Sequence, residues 1–367
     1  MMRKKNILFS TTRQSNPGDE FILLGCINLL KEVVGDFNPI IYNRSPEVRQ
    51  SNYNFFRTKF FSNLKFRYKD QFESFFRLGF YDNSFKDDTD ASCIDYAVFA
   101  GSPEWSGSRM RKMYDAIQKH NLSTVYLGIG GAVPIDYDTI KKPFRDVLKS
   151  ALFIAVRDEG LYNGLRKIGA NYLPCPALLS VEEKNEKQID EVNKIALIFG
   201  TSNATRFNNV SESTYQYLMD LYTNIIKVYG DKYEIEMVCH YIDELPEVHK
   251  LFPGMKVHYS YDSKDYIDIF GQFDLVIGHR VHGIGISASQ GIPGILISHD
   301  MRGSTGKGFL AEIVSVNEPL QQVVQLVDKC IHSIDERNKT LLRHKSETKA
   351  KYLGHLKSVL HTLGHEH

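Results

Sequence analysis

The feature that most constrains this chain is a recurrence. Short apolar or β-branched runs alternate with stretches of helical pattern along most of its length. In the first half the runs fall at 6–10, 39–42, 94–100, 123–127 and 152–156. In the second half they fall at 194–199, 233–238, 256–258, 273–277 and 294–298. Continuous apolar strands that alternate with helices indicate parallel sheets buried on both faces. Two sets of about five strands predict an α/β protein with two doubly wound, Rossmann-like domains facing a cleft. The 367 residues fit that count at about 150 per domain. The expected boundaries are 1–179 for the first domain and 194–335 for the second, with a C-terminal helix and tail over 336–367. The charged stretch 180–193 is the link between the two domains.

Composition narrows the function. Lys and Arg number 45 against 44 Asp and Glu, a net charge of +1, which argues against a nucleic-acid binder. No apolar run approaches the roughly 20 residues that span a bilayer, and the start lacks the apolar core of a signal peptide. Cys26, Cys93, Cys175, Cys239 and Cys330 are scattered and odd in number, without a C-x-x-C pair. They read as reduced thiols, and the chain as cytoplasmic.

Residues 51–86 stand apart, with ten Phe and three Tyr among interleaved Arg and Lys. Two readings stay open. One is an amphipathic patch contacting the inner membrane face or a lipid-linked acceptor. The favoured one is a helical excursion packed on the first domain or on a second subunit, so a homo-oligomer is in scope. His361, His365 and His367 read as a frayed tail rather than a metal site.

Four clusters fall where strands end, the place where open α/β sheets bind ligands. Asn16-Pro-Gly-Asp19 turns into an apolar helix and puts Asp19 in its first turn. Asp19 is either a helix-dipole residue or a base facing the cleft. Gly128-Ile-Gly130-Gly follows the fourth strand, either as a tight turn or as a backbone cradle for an anion. It is neither G-x-G-x-x-G nor a P-loop. Arg157 follows Val156, and is either paired with Asp158 or Glu159 or available for bidentate capture of carboxylate or phosphate. The fourth cluster is the most informative. A buried strand ends at Gly278, then His279, Arg280 and His282 appear together ahead of a helix of small residues. A second buried strand ends in His299 and Asp300. Arg280 supplies positive charge, and His282 can move a proton near neutral pH. The basic, glycine-rich stretch from Arg302 to Gly308, with Lys307, has the composition of a loop that closes on an anion. Zinc held by His279 and His282 is a weaker reading, because no third ligand has fitting spacing.

Ile277-Gly-His-Arg-Val-His-Gly283, followed by Ser289-Gln-Gly-Ile-Pro293 and Asp300, resembles the polysaccharide pyruvyl transferase family. The Asn16–Asp19 turn, the Val156-Arg-Asp158 strand end and Cys175-Pro-Ala177 resemble other landmarks of that family in the same order. The resemblance spans roughly 6–307 and leaves 51–86 unmatched. It implies a two-domain fold similar to GT-B glycosyltransferases, with the site in the cleft. It implies transfer of the enolpyruvyl carbons of phosphoenolpyruvate onto two sugar hydroxyls, giving a pyruvate ketal on a surface polysaccharide or glycan. Phosphoenolpyruvate is then a substrate, no resident cofactor is expected, and the partners are that donor and a sugar or lipid-linked saccharide acceptor. By position Arg280 and His282 match the family's Arg-x-His pair, and Arg157 is the second cationic contact.

The chemistry suits these residues on its own terms. A small polyanion needs arginines, and protonating a methylene carbon needs an acid with pKa near 7, for which His282 is the candidate. Asp19 is the candidate for acceptor binding or base work. The expected binding set adds His279, Gly130, Asp300, Arg302 and Lys307. The alternative is a GT-B nucleotide-sugar glycosyltransferase, with Asp300 or Glu312 on a ribose. The other class is a non-catalytic protein on the same fold.

Overall fold

The structure, a computed structural model, describes residues 3–12, 16–44, 91–102, 105, 110–131, 134–201 and 210–360. The aromatic stretch 51–86 and the terminal histidines lie outside the described residues.

Two six-stranded parallel sheets form the framework. The first contains β1 (Lys5–Thr11), β2 (Phe37–Asn43), β3 (Tyr96–Ala100), β4 (Ser123–Ile129), β5 (Phe153–Val156) and β6 (Asn171–Tyr172), in the order β2-β1-β3-β4-β5-β6. The second contains β7 (Lys194–Ile198), β8 (Glu234–Val238), β9 (Val257–His258), β10 (Leu275–Gly278), β11 (Gly294–Ser298) and β12 (Glu312–Ser315), in the order β12-β11-β10-β7-β8-β9. Every residue of β3, β5 and β10 is buried. That is why these strands read as unbroken apolar runs, because helices cover both faces of the sheet. The ten expected runs are strands. The sequence reading missed β6 and β12, both short and both at a sheet edge, where one side carries no partner strand and the apolar signal weakens.

Strand order reverses between β1 and β3 in the first sheet and between β7 and β10 in the second. Such switch points open a crevice beyond the strand C-termini. At the first, β1 leads into α1 (Pro17–Val34). Asn16 caps this helix, its side chain accepting a hydrogen bond from Gly18 N at 3.1 Å. At the second, β10 leads into α2, our label for the helix Val281–Ser289, whose Gly283 to Ser289 are all buried. Its small residues let it lie close on its neighbours. A Cβ on Gly285 would come within 2.6 Å of Phe309.

The two sheets are tied together behind this crevice. The last helix, α3 (Ile334–Leu360), leaves the second sheet and packs on the first. Tyr352 donates to Pro174 O at 2.8 Å and its ring meets Phe153 edge-on. Lys345, buried on the same helix, donates to Val181 O and Ser289 O at 2.8 and 2.7 Å and pairs with Glu186. A buried ammonium with three oxygen partners is satisfied rather than stranded. Among the described residues no helix is long and apolar enough to cross a membrane.

Candidate functional site

A pocket of about 720 Å³, counted with its open mouth, lies where the two switch points face each other. Asn16 and Gly18 line it from the start of α1, and Arg157 from the end of β5. His240 and Tyr241 come from beyond β8, His279, Arg280 and His282 from the β10–α2 junction, and His299, Asp300 and Arg302 from beyond β11. The strand-end rule thus gathers residues from both sheets into one cavity.

His282 sits in the first turn of α2, against the first turn of α1. A Cβ on Gly18 would overlap its Nδ1 and lie 2.9 Å from its Cβ. Its Nε2 is buried and has no hydrogen-bond partner among the described residues. Burial, with Arg157 and Arg302 nearby, holds its imidazole well below the usual histidine range. The surroundings thus favour the neutral imidazole in this state, whereas the sequence predicts an acid with pKa near 7. A bound polyanion would offset both cations and return proton affinity to the ring.

Arg157 is 8% exposed. Its Nη1 donates to Gly128 O at 3.1 Å and approaches Cys175 Sγ at 3.9 Å. The expected alternative partners are engaged elsewhere. Asp158 caps the next helix, accepting from Leu161 N at 2.8 Å and Gly131 N at 3.1 Å. Glu159 pairs with Lys307 at 2.9 Å. Among the described residues no carboxylate lies within 4 Å of this buried guanidinium, so it carries no charge partner there.

Arg280 is held differently. Its Nη2 donates to Glu244 Oε1 at 2.6 Å, and its guanidinium lies 4.8 Å from the Tyr241 ring centroid. Glu244 is 1% exposed and also accepts from His240 N at 2.7 Å and Tyr241 N at 3.1 Å. Burial raises its carboxyl pKa, and Arg280 opposes that rise. Arg280 is thus a fixed, half-balanced cation rather than a loose one.

The other expected residues divide. His279 lines the pocket at 3% exposure, with Gly200 leaving room for its ring. Burial, then Arg280 and His299, depresses its pKa strongly. Asp300 caps the turn Met301–Phe309 and accepts from Arg302 N at 2.9 Å and Nε at 2.7 Å. The stretch expected as a flexible anion loop is therefore a capped 3₁₀ helix, with Arg302 folded onto Asp300 at the pocket edge.

Three residues stand outside the lining. Asp19 accepts from Thr12 and from Arg44 at 2.8 Å, so its carboxylate is already spent on a buried partner. Gly130 packs under Arg157, where a Cβ would lie 2.5 Å from Nε, and the next amide is bound by Asp158. It makes room for the arginine instead of cradling an anion. Lys307 is exposed in its pair with Glu159.

Sequence reasoning missed His240, Tyr241 and Glu244. The signal was present, since His240-Tyr241 follows the strand at 233–238 directly. Glu244 was hidden because only folding brings it to Arg280. Burial, then Arg280 and His282, depresses His240 as well. Among the described residues no three His, Cys, Asp or Glu side chains converge to hold a metal.

Two parallel doubly wound sheets facing one cleft define the GT-B class of fold, and solved structures agree. A UDP-N-acetylglucosamine 2-epimerase superposes with a TM-score of 0.53 at 12% identity, over 100% of this chain and 98% of the other. MnaA from S. aureus, solved with UDP, gives 0.51 at 11% identity over 98% and 97%. HepE from Anabaena, solved with UDP and glucose, gives 0.52 at 10% identity over 98% and 99%. At such identities the likeness shows the fold alone. No curated protein matches by sequence. The sequence profile of polysaccharide pyruvyl transferase matches residues 16–301, and the chain belongs to that family.

Proposed function

We propose that the pocket binds phosphoenolpyruvate and transfers its enolpyruvyl carbons to two hydroxyls of a saccharide, forming a pyruvate ketal. One observation carries this reading. Arg157 and Arg280 reach a single pocket from opposite sheets, around His282, whose buried Nε2 has no partner among the described residues. Two guanidinium groups suit the carboxylate and phosphate of one small ligand. The open N-terminus of α2 adds partial positive charge.

In this mechanism the donor's charge raises the proton affinity of His282. The imidazolium then protonates the methylene carbon, and the oxygen of the first sugar hydroxyl bonds to C2. The C2–O bond to phosphate breaks, and phosphate leaves with the electron pair. The second hydroxyl bonds to C2 and closes the ketal. Of the two hydroxyl protons, one restores His282 and the other leaves with phosphate. Glu244 holds Arg280, and Gly18 and Gly130 leave the space that His282 and Arg157 occupy.

The test is release of inorganic phosphate from phosphoenolpyruvate that depends on a glycan acceptor. Release of nucleotide from a nucleotide sugar, with no use of phosphoenolpyruvate, would favour the glycosyltransferase alternative instead.

A further inference from the structure

Arg44 is 2% exposed, yet it does not line the pocket. It follows β2 directly, and its amide continues the strand pairing by donating to Thr11 O at 2.8 Å. That step brings its guanidinium to the first turn of α1. There Nη2 donates to Asp19 Oδ2 at 2.8 Å, and Nη1 donates to Ser102 O, just past β3, at 2.9 Å. Thr12 donates to the same Asp19 oxygen. Both donors therefore hold Oδ2. The other oxygen, Oδ1, borders a different space. A Cβ on Gly101 would lie 3.8 Å from it and 3.7 Å from Arg157 Nη1. Gly101 has a φ of +90°, a conformation that disfavours any side chain, so its Cα leaves that space open. Asp19 and Arg157 thus border one gap without forming an ion pair.

We propose that Arg44 is a positioning residue for donor binding, which retains Asp19 and so keeps its carboxylate off Arg157. The inference rests on the pyruvyl transfer reading, in which Arg157 receives the carboxylate or phosphate of the donor. A buried carboxylate stripped of its counter-charge is costly and turns to any cation in reach. Across the gap that cation is Arg157, and a guanidinium pairs with a carboxylate through strong, charge-assisted hydrogen bonds. Paired in that way, Arg157 would bring no net charge to the pocket, and an incoming anion would have to displace Asp19 first. Arg44 removes that competition before the donor arrives. The end of β2, remote from the pocket in sequence and outside its lining, thereby sets the charge that the pocket presents.

Arg44→Met tests this, read by calorimetric binding of phosphoenolpyruvate. The dissociation constant should rise at least about tenfold, the scale of one lost charge-assisted contact. The decisive variant combines Arg44→Met with Asp19→Asn. It has no carboxylate to capture Arg157, so affinity should return close to the wild-type value, whatever the melting temperature does. A pair that only braces the fold would give no such recovery. Affinity unchanged in Arg44→Met, or not restored in the double variant, overturns the proposal. If Arg44→Met does not fold, Arg44→Gln, which still carries a donor but no charge, replaces it. A crystal structure of the Arg44 variant reads the same event without a ligand. Asp19 in hydrogen-bond contact with Arg157 is the expected result. Asp19 held away from Arg157 overturns the proposal, whether or not phosphoenolpyruvate binds. If phosphoenolpyruvate fails to bind the wild type while that contact forms, the donor reading alone is what falls.

Discussion

Gly18 and His282 touch across the two sheets. The bare Cα of Gly18, in the first turn of α1, is what lets the His282 ring lie in the first turn of α2. A methyl group there would overlap the imidazole along its length, not just a movable tip. The contact fixes how closely the helix starts approach, and so fixes the width of the pocket between them.

Gly18→Ala should therefore reduce turnover by at least about tenfold through displacement of the imidazole. Gly18 has no positive φ, so the cost is not backbone strain but the clash with His282, which should also lower the melting temperature because the two helix starts must move apart. Steady-state kinetics alongside thermal melting separates the two effects.

Removing the acid has a larger expected cost. His282→Gln keeps a polar side chain of similar reach but cannot act as a general acid. It should lower kcat by roughly 10²–10⁴-fold, the range for general acid–base groups. Phosphoenolpyruvate affinity should change much less, since the arginines remain.

Glu244→Gln should leave Arg280, whose side chain is only 11% exposed, without its counter-charge. Breaking such a pair costs about 3–5 kcal/mol. Denaturant unfolding should show a loss of that order, and Arg280→Met in the same background should recover part of it. An unchanged midpoint would mean that the pair contributes no stability.

Acid should weaken the protein through three histidines of the pocket. His240, His279 and His282 all have folded-state pKa values well below the ordinary value of 6.5, burial being the main cause in each. The unfolded chain thus binds more protons than the native one once pH drops below 6.5. Stability is fully present above that pH and is lost as pH falls toward the folded values. The loss between pH 7 and 5 should shrink in His279→Gln, whatever that change does to absolute stability. Donor binding should run the other way at His282 and take up a proton. Calorimetry in buffers of different ionisation enthalpy would show that uptake, and His282→Gln should abolish it.

Much of this was legible in the sequence, for particular reasons. The strands β3 and β10 are buried on both faces, so their side chains are apolar or aromatic and the pattern stood out. Arg280 and His282 were visible because polar groups at the end of a buried strand need a reason to be there. Asp19 was misleading for the same cause. Its first-turn position was read correctly, but its partner Arg44 lies beyond β2, and nothing local announces that pairing. Glu244 and His240 depend on β8 and β10 lying on either side of β7, a strand order that periodicity does not encode. Whether a lysine such as Lys307 points into a cleft or pairs with Glu159 is likewise set by tertiary placement.

The central claim is a single donor site shared by both sheets, and a crystal structure with phosphoenolpyruvate bound tests it most directly. The carboxylate and phosphate should lie against Arg157 and Arg280, with the methylene carbon within proton-transfer reach of His282. Phosphoenolpyruvate bound elsewhere, or held by one sheet alone, would contradict it.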